Sequence, residues 1–484
     1  MHKSNLIELL KIFTAKEFKE FGDFVKSPFY NKNDNVINLY AYIKKYFPDL
    51  DNENLEKEKV YAKLTGKNDY NDGFMRTIIF NLNKLAEDYL SLVSIKQIEK
   101  DFAYLNYIFN DKGADKIFEK KFRQVSDTLS KEQIKDYFYY YCLYRLQGFT
   151  LAYNSKTRAF LNKKDFHAQD EINALDSLLT FYLLSALPEY RFFYNQAHVV
   201  NLNLEFSFLD EIISFLKRSG FHKKIPELNL FFNELLLVKE GDEKYFFAVK
   251  EIAMKEIDKY GFGIKFNTIG LLANTAITQY YNGNDKFLNE RFEIYSLILE
   301  KGLYKKFEDS YFDDMLFKNI VATGLQLNKM EWTENFIKEY IDKLNPEDRE
   351  NSLNLNLARL TFYKKDYDTA LNHLAIIKNV NHIHYKTEIK ILTLMIFYEQ
   401  GKNDEVVSVI DSYRHFLSND TLLPDNRKER NYNFLRFVNE LIKAKESSSL
   451  KAVYDLEHEL KITPNTYEKE WLKQKTIQLS KQFK

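Results

Sequence analysis

Apolar residues recur along most of the chain at spacings of three and four, which is the period of an α-helix with one buried face. One such run comprises Leu82, Leu85, Ala86, Tyr89 and Leu90, and another comprises Val406, Val409, Ile410, Tyr413 and Leu417. Segments that alternate with a period of two are hard to find. The pattern predicts an all-α protein with roughly twenty or more helices and almost no sheet.

Local signals predict where several helices begin and end. Thr14 with Glu17 and Ser130 with Gln133 have the spacing of a capping box. Asn345-Pro346 and Thr463-Pro464 place a capping residue before a proline suited to the first helical position. Three glycines lie between helical stretches, where a left-handed C-terminal cap is expected: Gly241, Gly283 and Gly401.

Three helix pairs between about residues 318 and 417 share one phase. Phe336, Ala370 and Val406 are equivalent positions, separated by 34 and then 36 residues. The positions four residues after them are Tyr340, Leu374 and Ile410, and those twelve residues before them are Gly324, Ala358 and Leu394. Two weaker pairs precede these, with turns at residues 240–242 and 282–284. Fixed offsets of this kind predict helix pairs that stack on one another.

The clearest pair, residues 354–371, resembles the tetratricopeptide family in Ala358, the turn Asp366-Tyr367 and Ala370. The resemblance implies a right-handed α-solenoid of antiparallel helix pairs in the C-terminal half, preceded by a helical N-terminal module. The family binds proteins or peptides, so it also implies a binding scaffold rather than an enzyme. Residues 24–33 resemble uncharacterised proteins of Bacteroidetes-type bacteria, which implies a lineage but no activity.

The chain is predicted to divide into three parts without linkers rich in proline, glycine or serine. They are an N-terminal helical module (residues 1–98), a middle helical region (99–225) and the helical repeats with a C-terminal capping helix (226–484). A long helix from about residue 71 to residue 98 is expected to end the first part.

Composition narrows the classes of function. Lys and Arg number 70, as do Asp and Glu, so the 484-residue chain has no net charge, whereas nucleic-acid binders usually carry a basic excess. The single cysteine, Cys142, rules out an internal disulfide. With no secretory signal and no apolar stretch long enough to cross a bilayer, we expect a cytoplasmic protein without a membrane anchor.

The resemblance implies that the first helix of each pair lines a groove for a peptide. The phase assigns twelve residues to it: Lys318, Val321, Leu325, Asn328, Ser352, Leu355, Arg359, Phe362, Glu388, Ile391, Met395 and Tyr398. Because the set is rather apolar, a hydrophobic helix or an extended peptide would suit it. The alternative is that these residues contact the protein's own neighbouring helices or its C-terminal helix.

No catalytic, cofactor-binding or metal-binding motif is recognisable, so we expect no enzyme, no cofactor and no metal site. Gly66-Lys67, for example, lacks the upstream glycine of a phosphate-binding loop. The rival hypothesis is a regulator whose N-terminal module contacts nucleic acid while the solenoid senses a ligand. Its helix-turn-helix-like unit would comprise residues 58–64 and 71–90, with only Lys67, Arg76 and Lys84 available to contact phosphates. A continuous basic stripe around Lys63, Lys67 and Arg76 would support this hypothesis.

Overall fold

The computed structural model describes residues 1, 4–156, 168–200, 205–307, 310–378, 383–421 and 423–483. Across these residues the protein is all-α, as predicted, with twenty-three α-helices and no strand. The described part has one isolated β-bridge, between Phe312 and Leu344. The chain divides into two compact units, Met1–Phe181 and Tyr182–Lys484. The boundaries at residues 98 and 225 stay predictions.

The first unit is built from eight helices and the first part of a ninth. They are α1 (Asn5–Lys11), α2 (Ala15–Lys26), α3 (Asp34–Ile43), α4 (Lys57–Thr65), α5 (Asp72–Ser94), α6 (Gln97–Asn106), α7 (Asp115–Ser130), α8 (Tyr137–Lys156) and α9 (Ala168–Val200). Helices α1–α5 enclose one apolar core around Phe21, Tyr40 and Leu82, and α6–α8 enclose another around Phe102 and Phe118. The predicted long helix is therefore shorter, because the chain leaves α5 at Ser94 and begins α6 at Gln97.

The second unit contains the helix pairs that the repeat phase predicts. After α9 its helices are α10 (Leu209–Ser219), α11 (Pro226–Glu240), α12 (Glu243–Glu256), α13 (Phe262–Tyr281), α14 (Phe287–Glu300), α15 (Asp314–Gln326), α16 (Met330–Tyr340), α17 (Pro346–Tyr363), α18 (Tyr367–Ile376), α19 (Ile383–Glu399), α20 (Asn403–Asn419), α21 (Asp425–Ser447), α22 (Leu450–Ile462) and α23 (Lys469–Gln482). From α11 to α23 each helix packs against the next, and α17 also packs against α15 and α19. The helices fall where the repeat phase predicts them.

The positions that the predicted repeat treats as equivalent are buried on both helices of each pair. Phe336, Ala370 and Val406 are buried on the second helices, and Gly324, Ala358 and Leu394 are buried on the first. Gly324 shows why a small residue is required. A Cβ at this position would collide with the Thr333 hydroxyl of α16 and lie 3.3 Å from the Trp332 ring. Helices α15 and α16 thus approach more closely than any larger residue at position 324 would permit.

Some terminal signals are confirmed and others are wrong. Thr14 and Glu17 form a reciprocal capping box, and Asn345 caps α17 with Pro346 at its start. Gly241, Gly283 and Gly401 have positive φ between helices. Ser130, however, is the last residue of α7 and its hydroxyl donates to the Asp127 carbonyl, so it caps no following helix. Thr463 follows the end of α22, and the next helix begins only at Lys469.

Candidate functional site

The twelve predicted groove residues lie on α15, α17 and α19, the first helices of three successive pairs, except Asn328, which follows α15. Asn328 is exposed, with a φ of 58°. The other eleven are buried: Lys318, Val321, Leu325, Ser352, Leu355, Arg359, Phe362, Glu388, Ile391, Met395 and Tyr398. The phase of the repeat thus brings these eleven to inward-facing positions, where their own chain covers them.

The three charged members of the set meet in one buried cluster. Nζ of Lys318 lies 2.8 Å from Oε1 of Glu388. The Arg359 guanidinium donates through Nη2 to the other carboxylate oxygen of Glu388. None of the three side chains is more than 8% exposed. One carboxylate between two cations leaves an excess of one positive charge, which is costly in a buried site.

Glu468, which immediately precedes α23, supplies the missing negative charge. Nη1 of Arg359 donates to Oε1 of Glu468 at 2.7 Å, and the Glu468 side chain is 3% exposed. Two cations and two carboxylates then balance. Burial by itself would raise the pKa of Glu388, but the positive charges of Lys318 and Arg359 outweigh burial and lower that pKa to about 2. The two carboxylates in turn raise the pKa of Arg359, against the effect of its burial.

Two aromatic residues, Tyr467 before Glu468 and Trp471 three residues after it, both contact α19. The Tyr467 hydroxyl donates to Oε1 of Glu388 at 3.2 Å. The Trp471 indole N–H donates to Oε1 of Glu399 at 2.7 Å, and its ring meets the Tyr398 ring edge-on with centroids 5.3 Å apart. Residues 467–471 therefore pair an acidic anchor with two aromatic contacts.

The same segment extends towards earlier helices of the unit. The backbone N–H of Asn465 donates to the backbone carbonyl of Tyr281, the last residue of α13, over 2.6 Å. Nζ of Lys473 lies 2.7 Å from Oδ2 of Asp285, just before α14. Residues 465–475, which we call the C-terminal segment, thus contact residues of the pairs α13–α14, α17–α18 and α19–α20. Such an arrangement resembles a bound peptide that happens to be covalently attached.

Two residues of the C-terminal segment adopt the left-handed backbone conformation without being glycine. Asn465 has a φ of 52° and Glu468 a φ of 46°. This conformation disfavours a residue with a Cβ, by roughly 1–2 kcal/mol for most types and less for asparagine. The contacts of Glu468 with Arg359 hold the unfavourable backbone in place. The docked conformation of the segment is therefore imposed by its surroundings rather than by local preference.

Sequence reasoning found Lys318, Arg359 and Glu388 but missed Tyr467, Glu468 and Trp471. A signal was present in the charges, since two cations and one carboxylate on inward-facing positions require a further acid. The sequence Tyr467-Glu468-Lys469-Glu470-Trp471 offers such an acid between aromatics. Nothing local specifies which acid approaches Arg359, because the partner lies 109 residues away.

The residues of the rival hypothesis lie in the first unit. Lys63, Lys67 and Lys84 are exposed. The Arg76 guanidinium is neutralised by Asp72, with 2.6 Å between Nε and Oδ2. Nucleic-acid contact by this module stays a prediction.

No protein-family description, no curated protein and no solved structure matches this chain. In the part of the chain that the structure describes, no helix is long and apolar enough to cross a membrane. The same residues contain no cluster of three or more His, Cys, Asp or Glu side chains arranged to hold a metal ion.

Proposed function

We propose that the protein is a non-enzymatic helical-repeat scaffold that binds a protein or peptide through the first helices of its pairs. The observation that carries this proposal is the docking of the C-terminal segment on α17 and α19 through Glu468 and two aromatic residues, Tyr467 and Trp471. A surface that holds one peptide segment by charge and ring contacts is suited to hold another with the same chemistry.

The chemistry of the docked segment defines the ligand. Lys318, Arg359 and Glu388 need one further carboxylate, and Tyr398 and Glu399 receive an indole three residues beyond it. The favoured ligand is therefore a segment with an acidic residue followed by an aromatic residue at the third position. Because charged groups at a buried contact lose much of their hydration, the carboxylate should dominate specificity.

The proposal includes the finer aspects of the fold and the setting of the protein. The helix pairs would form a right-handed solenoid of the tetratricopeptide type, in which first helices line the inner face. A cytoplasmic location and a bacterial origin belong to the same proposal, and they rest on the single cysteine and on the likeness of residues 24–33.

The experiment uses a variant that releases the C-terminal segment while leaving the receiving helices intact. Glu468→Lys places a second cation beside Arg359, so the segment should leave its site. A fluorescent synthetic peptide of residues 463–483 is then titrated into full-length wild type and into the variant. We expect the variant to bind the peptide and the wild type to bind it at least roughly tenfold more weakly, because its site is occupied.

The matched control is the same peptide with its own Glu468→Lys change, which should not bind the variant. Circular dichroism must show that the variant retains its helix content. A folded variant that ignores the wild-type peptide would contradict the proposal. Proteins captured by the variant from cells of the source organism, and displaced by excess peptide, would then identify natural ligands.

A further inference from the structure

A second surface with different chemistry lies in the first unit, between α6 and α7. The two helices enclose an open groove of about 730 Å³. Its walls include Lys100 and Tyr104 from α6 and Lys116, Ile117 and Lys120 from α7. This groove shares no residue with the proposed peptide site in the second unit.

The groove carries an excess of positive charge. Lys100, Lys116 and Lys120 are exposed and form no ion pair with any acidic residue that the structure describes. A fourth lysine, Lys121, is neutralised by Asp101 at 2.9 Å. Three uncompensated lysines on facing walls are notable in a chain without net charge. Charges that converge on one groove attract an oppositely charged ligand and orient it.

Apolar groups lie among these lysines. Tyr104 is 44% exposed and Ile117 is 51% exposed, and both line the groove. A single exposed apolar side chain is ordinary, but two on facing walls between unpaired lysines form a surface suited to a ligand of mixed character. The complementary ligand has acidic groups along its edges and an apolar residue at its centre.

The dimensions favour a short helix. Positions 116, 120 and 124 of α7 all line the groove, so it follows that helix for about two turns, or roughly 12 Å at 1.5 Å per residue. Two or three turns of an amphipathic helix would place an apolar stripe against Tyr104 and Ile117 and carboxylates beside the lysines.

A nucleic acid fits this surface less well. Among the described lining residues Tyr104 offers a single ring, whereas surfaces that bind single-stranded nucleic acid present aromatic rings on which successive bases stack. Nucleic-acid surfaces also usually occur in chains with a basic excess, which this chain lacks. Charge and apolar character together favour a peptide.

We propose that the α6–α7 groove binds an acidic amphipathic helix of a partner protein, through Lys100, Lys116 and Lys120 around Tyr104 and Ile117. The proposal is independent of the peptide site on α15, α17 and α19. It identifies a second ligand class, in which several carboxylates surround an apolar stripe rather than one carboxylate preceding an aromatic residue.

The test starts from a phage-displayed library of random sixteen-residue peptides selected on the full-length protein. The enriched peptides are then measured by fluorescence anisotropy against wild type and Lys116→Glu/Lys120→Glu. The matched control is Lys63→Glu/Lys67→Glu, which makes the same change in net charge on exposed lysines of the same unit. Ile117→Ser tests the apolar contact separately.

We expect acidic peptides with apolar residues three or four positions apart to be enriched. They should bind roughly tenfold or more weakly to Lys116→Glu/Lys120→Glu, more weakly to Ile117→Ser, and as well as wild type to the control. Equal binding to the groove variant and the control would overturn the proposal, as would selected peptides without acidic enrichment. Binding of a sixteen-nucleotide single-stranded DNA that depends on Lys116 and Lys120, without peptide binding, would also overturn it.

Discussion

Arg359 and Glu468 are 109 residues apart in sequence and form a buried ion pair, with 2.7 Å between Nη1 of the arginine and Oε1 of the glutamate. The pair fastens the C-terminal segment to α17. The same guanidinium also donates to Glu388 of α19. One side chain therefore joins two first helices and the C-terminal segment.

Removing this guanidinium should destabilise the second unit strongly. In Arg359→Ala, Glu468 loses its cation and Glu388 retains only Lys318, so a buried negative charge is left uncompensated. Such a change typically costs about 3–5 kcal/mol. The measurement is urea unfolding followed by Trp471 fluorescence in a Trp332→Phe background, where Trp471 is the sole tryptophan.

Arg436→Ala is the matched control for this substitution. Arg436 also forms an ion pair with 2.7 Å between Nη1 and a glutamate oxygen, that of Glu459, but the two side chains are 44% and 52% exposed. An exposed pair contributes about 0–1 kcal/mol, because water screens it. Similar losses in the free energy of unfolding of the two variants would show that the buried ion pairs of Arg359 contribute no more to stability than an exposed pair does.

Stability should fall in acid partly because of Glu388. The pKa of this carboxyl is about 2 in the folded protein, below the value of about 4.3 for a glutamate in an unfolded chain. Above the unfolded value both states are ionised and the stabilisation is complete. As the pH falls from about 4.5 towards 2, the unfolded chain binds a proton that the folded protein does not, so on the order of 3 kcal/mol is lost.

Glu388→Gln removes this titration. The variant should be less stable than wild type at neutral pH, because Lys318 and Arg359 lose a carboxylate. Below pH 4.5 the unfolding of wild type should take up as many as about one proton more than the unfolding of the variant. The free energy of unfolding of the variant should therefore depend less steeply on pH. Urea unfolding at several pH values between 3 and 7 measures the slope. An identical slope in the two proteins would contradict the assignment of acid sensitivity to Glu388.

The helix pairs were predictable because their signals are local. Positions such as Ala370 and Val406 recur at fixed offsets, and the same spacing that forms each helix also selects its buried face. Lys318, Arg359 and Glu388 were found for the same reason. Their contact with Glu468 was not predictable, because it depends on how the chain returns after α22 and not on any neighbouring residue.

The failed helix start at Thr463-Pro464 has the same physical cause. Thr463-Pro464 has the chemistry of a helix start, but the chain there makes tertiary contacts instead of helical ones. The backbone N–H of Asn465 donates to the backbone carbonyl of Tyr281, and α23 begins only after Glu468. A capping motif thus predicts a helix only where the next residues are free to form one.

Gly324 and Gly270 should respond in opposite ways to alanine. Both lie inside helices of the second unit, α15 and α13. A Cβ at Gly324 would collide with Thr333, so Gly324→Ala should cost about 1–3 kcal/mol through separation of α15 and α16. At Gly270 a Cβ meets nothing within 4 Å, and alanine should stabilise by about 0.5–1 kcal/mol. Urea unfolding of both variants distinguishes a packing requirement from a simple helix preference.

The repeat phase itself is tested by a charge at Ala370. This residue of α18 is fully buried in the same apolar cluster as Ala358 of α17, so Ala370→Glu forces a carboxylate into the core that the paired helices share. The contact offers little room for hydration or for a cation, and the cost should be on the order of several kcal/mol.

Ala375→Glu is the matched control, because Ala375 lies on the same helix but is exposed. Thermal melting followed by circular dichroism should show a large loss of stability for the first variant and little change for the second. If both melt like wild type, position 370 does not lie in a tight helix pair, and the alignment of Phe336, Ala370 and Val406 as equivalent residues is wrong.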